Sequence, residues 1–481
     1  MKQVKADVGI IGAGPAGLAA AVAAAENHAS VVVFEKSKVT GGCGNMAMGP
    51  FGVESRLQRE QIVGLTKEEA FRLHMDFNHW IPDARLVRAF IFKSGSTIDW
   101  LEDMGVKFLL AARHFPASQP TWHIIRTDSE AHGTGSLIFK ALTDRAQELG
   151  VRFCLNTAAK KILKEDCRVV GLLAEDGSGE KMQVNVKAVI VATGGFGGSV
   201  GMIKEYTGFQ WGRDLFSFKI PGIEGDGLRM AWEAGAAKTR MLLEIYCATP
   251  RQPDFWSLDA VFRQPNLLVN LNGERFFNEE VMQNNAFAGN AISVQKGRCA
   301  FMIIDERIKK GYENDGFDQV CYDIPVRDAR DFDGELERAL AEGCNDFAVA
   351  DSLDQLAAAT GINAEKLKKT VAEYNRSCEC RDCLFNKDYK FMKPISKPKF
   401  YAGKLAPSGF GSLGGIKINY KTEVLNEDFE VIPGLYAAGT DANSIHSDTY
   451  TFILPGNSMG FAINSGRIAG ESAAEYVDSL E

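Results

Sequence analysis

The sequence predicts the α/β class, with a Rossmann-like unit at its start. Three observations carry that prediction. A short apolar run, Ala6 to Ile11, leads into Gly12-Ala13-Gly14-Pro15-Ala16-Gly17 and then an alanine-rich stretch to about Asn27. A second apolar run, Ser30 to Phe34, ends on Glu35. Far downstream a third run, Val189 to Val191, again breaks on glycines after Ala192-Thr193, at Gly194-Gly195. Strand, glycine turn, helix and strand, closed by an acid about twenty residues past the glycines, is the order a dinucleotide site requires. Gly12 permits the turn, Gly14 lets main chain approach a pyrophosphate, and Gly17 lets the helix lie close to the sheet. The helix start then faces the phosphate charge, and Glu35 accepts hydrogen bonds from ribose hydroxyls.

Whole-chain properties narrow the classes. At 481 residues the chain holds two to three domains, and 45% hydrophobic with 24% charged residues is an ordinary globular balance. A net charge of −8 argues against a nucleic-acid or anionic-membrane partner. Met1 to Asp7 runs straight into the first strand, so no signal peptide is expected, and no apolar run is long enough to span a membrane. The 10 cysteines are scattered, which predicts free thiols and a reducing cytoplasm.

Past Glu35 the glycines of Lys36 to Pro50 are dense, which predicts main chain laid against a flat ligand. A flavin ring fits that loop better than a nicotinamide does. Helical patterning follows from Thr66 to about Leu110, then a polar aromatic stretch, Pro120 to Arg126, and a helix from Leu137 to Leu149. Strands are expected at Val151–Leu155 and Arg168–Ala174, turning at Gly177-Ser178-Gly179. Gly225-Asp226-Gly227 opens a helix over Leu228–Gly235, with the aspartate capping its amides.

After Arg240 prolines and aromatics enter and the Rossmann-like rhythm stops. Leu267 to Asn270 and Gly273 to Glu279 read as two strands about a turn, and helices are expected near Gly334–Glu342 and Ala364–Tyr374. Cys378, Cys380 and Cys383 lack a fourth ligand in their segment, so reduced thiols rather than a metal are expected. The last signature runs from Gly409 to Gly415, through a strand at Ile416–Asn419, to Ile432–Asp441. Gly456-Asn457-Ser458 then heads an amphipathic helix whose first amides can face the negative charge of a reduced flavin.

Assembled, these stretches resemble the flavoprotein family of fumarate reductases and succinate dehydrogenases, which also holds urocanate, cinnamate and methacrylate reductases and the 3-ketosteroid dehydrogenases. The matching pieces are Gly12–Glu35, Gly41–Gly49, Ala192–Gly195, Gly225–Asp226, the Asn270–Glu279 block, Gly434–Gly439 and Gly456–Ser458. The resemblance implies a Rossmann-like FAD-binding domain in two segments, 1–240 and 412–481, with an α+β capping domain inserted at 241–411. It implies FAD held by Gly12, Gly14, Ala16, Gly17, Glu35, Lys36, Gly41, Gly42, Cys43, Met46, Ala47, Met48 and Gly49. Ala192, Thr193, Gly194, Gly195, Asp226, Gly439, Thr440, Asp441, Gly456, Asn457 and Ser458 complete that set. No histidine stands at the family's covalent-attachment position, so the FAD is expected to be non-covalent. The implied chemistry is hydride transfer between flavin N5 and a carbon–carbon bond.

The departures from the family define the expected substrate. The fumarate reductases' proton-donating arginine falls at Gln283, their carboxylate-binding histidine at Gly411, and their second carboxylate-binding arginine at Ile453-Leu454-Pro455. A dicarboxylate would enter with its charges unpaired, a cost of roughly several kcal/mol per ion. An FAD-dependent reductase of a double bond conjugated to a carbonyl is therefore expected, acting on an enone, steroid-like ketone or aryl-acrylate. The expected proton donor is Tyr450, His446 or Tyr246, with His446 beside the flavin and Tyr246, Arg263 and Glu244 contributed by the cap side. By spacing, Phe452 rather than Tyr450 falls nearest the ketosteroid dehydrogenases' tyrosine. The competing classes are an electron-transfer flavoprotein serving a partner and an oxidase or dehydrogenase acting on the saturated compound. No second Gly-x-Gly-x-x-Gly unit appears, so a protein electron donor is expected.

Overall fold

The computed structural model describes residues 2–127, 134–217, 221–320 and 326–480. They form two compact units. The first comprises Met1–Gly208, Lys219–Glu244 and Gly411–Glu481, and the second Phe209–Phe218 and Ile245–Phe410.

At the centre of the first unit lies a six-stranded sheet ordered Glu423–Leu425, Val431–Ala437, Ala188–Val191, Val8–Ile11, Val31–Phe34 and Arg152–Cys154. All neighbours pair in parallel except Glu423–Leu425, which runs antiparallel at the edge. The central three strands, VGII, VVVF and AVIV, are buried at every position. That is why they read as continuous apolar runs rather than alternating ones. Their register aligns Ile11, Phe34 and Val191, so the strand ends and the turns beyond them gather at one edge. A four-stranded sheet, Lys2–Lys5, Lys181–Asn185, Arg168–Asp176 and Thr157–Glu165, and an antiparallel pair, Phe108–Ala112 with Trp122–Ile125, also belong to this unit.

The first helix spans Pro15–Glu26. Proline at its first turn costs no hydrogen bond, and the alanines favour the helix. It packs against the Ser136–Glu148 helix and the last helix, Asn457–Asp478. Contact with the last helix is close enough that a Cβ on Gly466 would stand 2.2 Å from Ala16 O, and one on Gly470 2.3 Å from Ala20 O. Two segments far apart in sequence are thus zipped backbone to backbone.

The second unit has its own core. Ala300–Asp305 pairs antiparallel with Leu267–Val269 on one side and, on the other, with the long strand Phe400–Gly415, which also takes Phe347–Ala350. Phe255, Phe262, Phe332 and Phe347 pack beneath it, all nearly fully buried.

Several sequence expectations change. Val151–Leu155 contributes Arg152–Cys154 to the parallel sheet, and the hairpin partner of Arg168–Asp176 is instead Thr157–Glu165. The expected strand at Gly273–Glu279 is a turn followed by a 3-10 segment, Glu279–Gln283. Asn270 Oδ1 accepts the amides of Asn272 and Glu274 at 3.0 and 3.1 Å, a side-chain turn that competes with a ladder. Arg275 also turns inward, pairing with Glu279 at 2.7 Å and Asp382 at 2.9 Å. The strand expected at Ile416–Asn419 is reduced to isolated bridges at Ile416 and Ile418, because the regular strand has already run from Phe400 to Gly415.

Candidate active site

The nucleotide end of the first unit is built from turns at the edge of the parallel sheet. Gly12 has φ +101°, and a Cβ there would lie 2.3 Å from Ala192 O. At Gly14, by contrast, a Cβ would meet nothing within 4 Å, so main chain at the helix start borders open space. Glu35 ends its strand with Oε2 accepting from the Ala13 amide at 2.8 Å and Oε1 from the Ser37 amide at 2.7 Å. Both oxygens keep lone pairs for hydroxyl donors. A phosphate at the helix start and a ribose at Glu35 both fit these groups.

Lys36 and Asp226 partner each other at 2.5 Å, and Asp226 also pairs with Arg229 at 2.9 Å. Asp226 therefore does not cap its own helix, whose N-cap is Gly225. Thr193 Oγ1 takes the Gly227 amide instead, at 3.1 Å. The glycine loop tightens into a 3-10 turn over Gly42–Met46, with Gly41 N donating to Ala13 O at 2.8 Å. Ala47 N returns to Gly44 O at 2.9 Å, and Met48 O accepts from Ile125 N at 3.0 Å, which anchors the loop as far as Gly49.

Asp441 ties the turns together. It is fully buried and accepts from Thr193 N, from Thr193 Oγ1 at 2.9 Å, and from Gly195 N at 2.9 Å. Burial pushes its carboxyl up, and these donors act against the shift. Gly439 N is held by Ser465 Oγ at 2.9 Å, which leaves Thr440 between two anchored neighbours.

At the start of the last helix the side chains become polar yet remain buried. Gly456 is its N-cap at φ +90°, and Asn457 Nδ2 donates to Thr451 O at 3.1 Å and Leu454 O at 2.5 Å. The Tyr450 hydroxyl accepts from Ser458 N at 3.1 Å. Ser458 Oγ donates to Glu244 Oε2 at 2.7 Å. The Tyr450 ring lies 5.1 Å from that of His446, which lies 5.7 Å from that of His74.

Hydrogen bonding assigns the tautomer of His74. His74 Nε2 faces the Ile445 carbonyl at 2.6 Å; a carbonyl only accepts, so the proton sits on Nε2 and Nδ1 is a bare acceptor. Thr451 Oγ1 accepts from Asn78 Nδ2 at 2.9 Å and pairs with His446 Nδ1 at 2.9 Å. Burial lowers His74 to about 4, and burial together with His74 holds His446 well below the usual imidazole range. Both rings are neutral at pH 7.

Among the described residues His446 Nε2, His74 Nδ1, Asn443 Oδ1 and Asn457 Oδ1 are buried without a hydrogen-bond partner. An interior left with four unmatched polar atoms suits a polar ring system such as an isoalloxazine. The residues present therefore fit FAD.

Burial pushes the Tyr450 hydroxyl up, with the charge of Glu244 adding to the shift. Burial likewise raises Glu244 to about 7, partly offset by Ser458. The sequence assigns Glu244 to the cap side, whereas it is the last residue of its segment in the first unit, and sequence reasoning does not single out His74 and Asn78. The latter two sit four residues apart on the Lys67–Phe77 helix and at its C-cap, a spacing that shares a face.

Tyr246 and Arg263 belong to the second unit. Tyr246 stacks on Phe410 at 4.3 Å and donates to Gln252 Oε1 at 3.2 Å. Gln252 in turn donates to Asp259, which pairs with Arg263 at 2.8 Å in full burial. The two residues thus share one buried network around Asp259.

Among the described residues no cluster of three His, Cys, Asp or Glu could hold a metal, and no helix is long and apolar enough to cross a membrane.

Comparison with known proteins matches residues 7–458 to a family model described as FAD binding domain. Vinyl phenol reductase of Lactiplantibacillus plantarum is 32% identical over 98% of this chain and 96% of its own. Fumarate reductase (cytochrome) of Shewanella frigidimarina is 29% identical over 98% of this chain and 77% of its own. The crystal structure of 3-ketosteroid-Δ4-(5α)-dehydrogenase from Rhodococcus jostii RHA1 superposes with a TM-score of 0.77 at 24% identity, covering 98% of both chains.

Proposed function

Because the chain belongs to the FAD binding domain family of flavoprotein oxidoreductases acting on carbon–carbon double bonds, we propose that it reduces an uncharged alkene conjugated to an aromatic or carbonyl group, with Tyr450 as the proton donor. The Tyr450 hydroxyl carries this reading. It is 4% exposed and held from behind by the Ser458 amide, and no described residue accepts its proton. Its raised pKa keeps that proton in place at pH 7 until a carbanion-like carbon demands it.

When bound and reduced by its electron donor, FAD would supply the hydride for one alkene carbon. Glu35 and the amides after Gly12 would hold its nucleotide end, and Asp441 keeps the turns bearing Thr193 and Thr440 in place. His446, a neutral imidazole at pH 7, offers an unpartnered Nε2 for hydrogen bonding rather than the mobile proton of an imidazolium. Tyr450 gives its proton to the second alkene carbon, which completes the two-electron, two-hydrogen balance.

The substrate reading draws on Gln283, Gly411 and Ile453, none of which carries a charge to hold a dicarboxylate. The likeness to vinyl phenol reductase widens the candidates from carbonyl-conjugated alkenes to vinyl-substituted phenols. Proteins of this chemistry need an electron source, and a protein donor is proposed. Anaerobically reduced holoenzyme mixed with 4-vinylphenol, an enone steroid, a cinnamate, urocanate and fumarate tests the assignment. Fast flavin reoxidation by an uncharged alkene with fumarate inert is expected. Rapid turnover of fumarate overturns the substrate class, and reoxidation only by oxygen or a protein acceptor overturns the reductase reading.

A further inference from the structure

The side of the first unit that faces Gly411 carries an acid the reaction just described does not use. Glu244 is 8% exposed, and its Oε2 is held by Ser458 Oγ at 2.7 Å. Among the described residues nothing hydrogen-bonds its second oxygen, and no cation lies within ion-pairing distance of either oxygen. Beside it the chain supplies space rather than a side chain. A Cβ built on Gly411 would meet only Glu244 Oε2 at 3.5 Å and Thr440 Cγ2 at 3.7 Å. An anchored carboxyl with one unused oxygen therefore borders a gap, and through Ser458 it shares a helix start with the Tyr450 hydroxyl.

We propose that Glu244 is the specificity-determining residue of this site, accepting a hydrogen bond from a hydroxyl on the substrate and refusing a carboxylate in the same place. The inference rests on the reductase reading and sharpens it: the substrate is an alkene carrying a phenolic or alcoholic hydroxyl. The chemistry is one of charge and donor matching. A hydroxyl offers the donor that the free carboxyl oxygen lacks, whereas a carboxylate offers only acceptors and a second negative charge in a water-poor setting.

The titration of Glu244 makes the discrimination pH-dependent. The ionisable groups facing it are Cys43, from the glycine loop, and Tyr450. Burial raises both, the charge of Glu244 adds to each shift, and both stay neutral at pH 7. His446, next to Tyr450, is neutral as well. Glu244 is thus the group whose charge changes near pH 7. Below that pH it is a neutral acid that tolerates an anion, and above it a carboxylate that repels one.

The test is equilibrium binding to oxidised holoenzyme, followed by the flavin difference spectrum. The ligands are 4-ethylphenol and 4-ethylbenzoate, neither of which has an alkene to reduce. For the wild type, 4-ethylphenol is expected to bind at least about tenfold more tightly than 4-ethylbenzoate at pH 8. The affinity for 4-ethylbenzoate, which is ionised throughout, is expected to fall by up to about tenfold per pH unit above 7. Glu244→Gln should abolish that pH step and narrow the preference, while Glu244→Asp, which keeps the acid, should restore the step. FAD content and the far-ultraviolet circular dichroism of each variant report folding. Wild-type protein that binds the benzoate as tightly as the phenol at pH 8 overturns the substrate reading and this inference together. A wild-type preference that survives unchanged in Glu244→Gln, pH step included, overturns the role of Glu244 alone.

Discussion

At the scale of single residues, the site is a set of buried groups whose protonation is set by where they lie. Tyr450→Phe removes a hydroxyl proton that no described residue accepts. The turnover rate is expected to fall by about 10²-fold or more with FAD content unchanged, measured by stopped-flow reoxidation of the reduced flavin. A drop smaller than fivefold would remove Tyr450 from the mechanism. His74, His123 and His446 are buried neutral imidazoles, the first two at about 4. Their folded values lie below the unfolded value of about 6.5, so as pH falls below 6.5 the unfolded chain takes up protons the folded one refuses. Each such histidine removes up to about 1.4 kcal/mol of stability per pH unit from 6.5 down to its folded value, and the stability is fully present above 6.5. Glu244 works in the opposite sense. Its folded value of about 7 exceeds the unfolded one, so it stabilises at low pH and loses that contribution as pH rises to 7. Three histidines outweigh one glutamate, and urea unfolding midpoints should fall between pH 7 and pH 5. A midpoint that rises over that interval would mean the imidazoles are charged in the folded protein. Tyr450 and His446 stood out in the sequence through their closeness to the final glycine turn. His74 and Asn78 did not, because a histidine and an asparagine in an amphipathic helix look like solvated positions until the fold buries them.

At the scale of elements, backbone proximity and buried charge decide what can change. Gly466 and Gly470 let the last helix touch the first, and a Cβ at Gly466 would already stand 2.2 Å from Ala16 O. Gly466→Val is therefore expected to destabilise the protein by about 1–3 kcal/mol or more and to lower FAD content, read by thermal unfolding and the flavin-to-protein absorbance ratio. In the second unit Arg275, Glu279, Asp382 and Lys387 form a buried charge cluster. Removing one member leaves its partners uncompensated, so Arg275→Ala should cost about 3–5 kcal/mol. An unchanged melting temperature would show that solvent reaches the cluster. The elements most legible in the sequence were those punctuated by glycine or by a continuous apolar run, such as Pro15–Glu26 and Ala188–Val191. Thr157–Glu165 escaped notice because its lysines and alanines carry little strand propensity. Pairing with Arg168–Asp176 makes it a strand regardless. Gly273–Glu279 misled for the reverse reason, since the apolar pair Phe276-Phe277 suggested a strand while Asn270 and Arg275 committed the backbone to a turn.

At the scale of the whole molecule, the family and the cofactor were legible because glycine motifs spread over nearly the full length occur in one order. The substrate was not, because it depends on groups such as Glu244 and Gly411 that only the fold brings together. The chain shows no second dinucleotide motif. NADH mixed anaerobically with the oxidised holoenzyme is therefore expected to reduce the flavin far more slowly than a reduced viologen dye does. Efficient steady-state turnover with NADH alone would contradict a protein donor. The zipped helix pair has a consequence for how the enzyme is made. Glu35 and Gly14 are synthesised early, yet the helix that backs them and the aspartate that steadies the turns at Thr193 come from the last part of the chain. A polypeptide truncated before Asp441 would have half a cradle, and is expected to hold FAD weakly although Gly14 and Glu35 are both present.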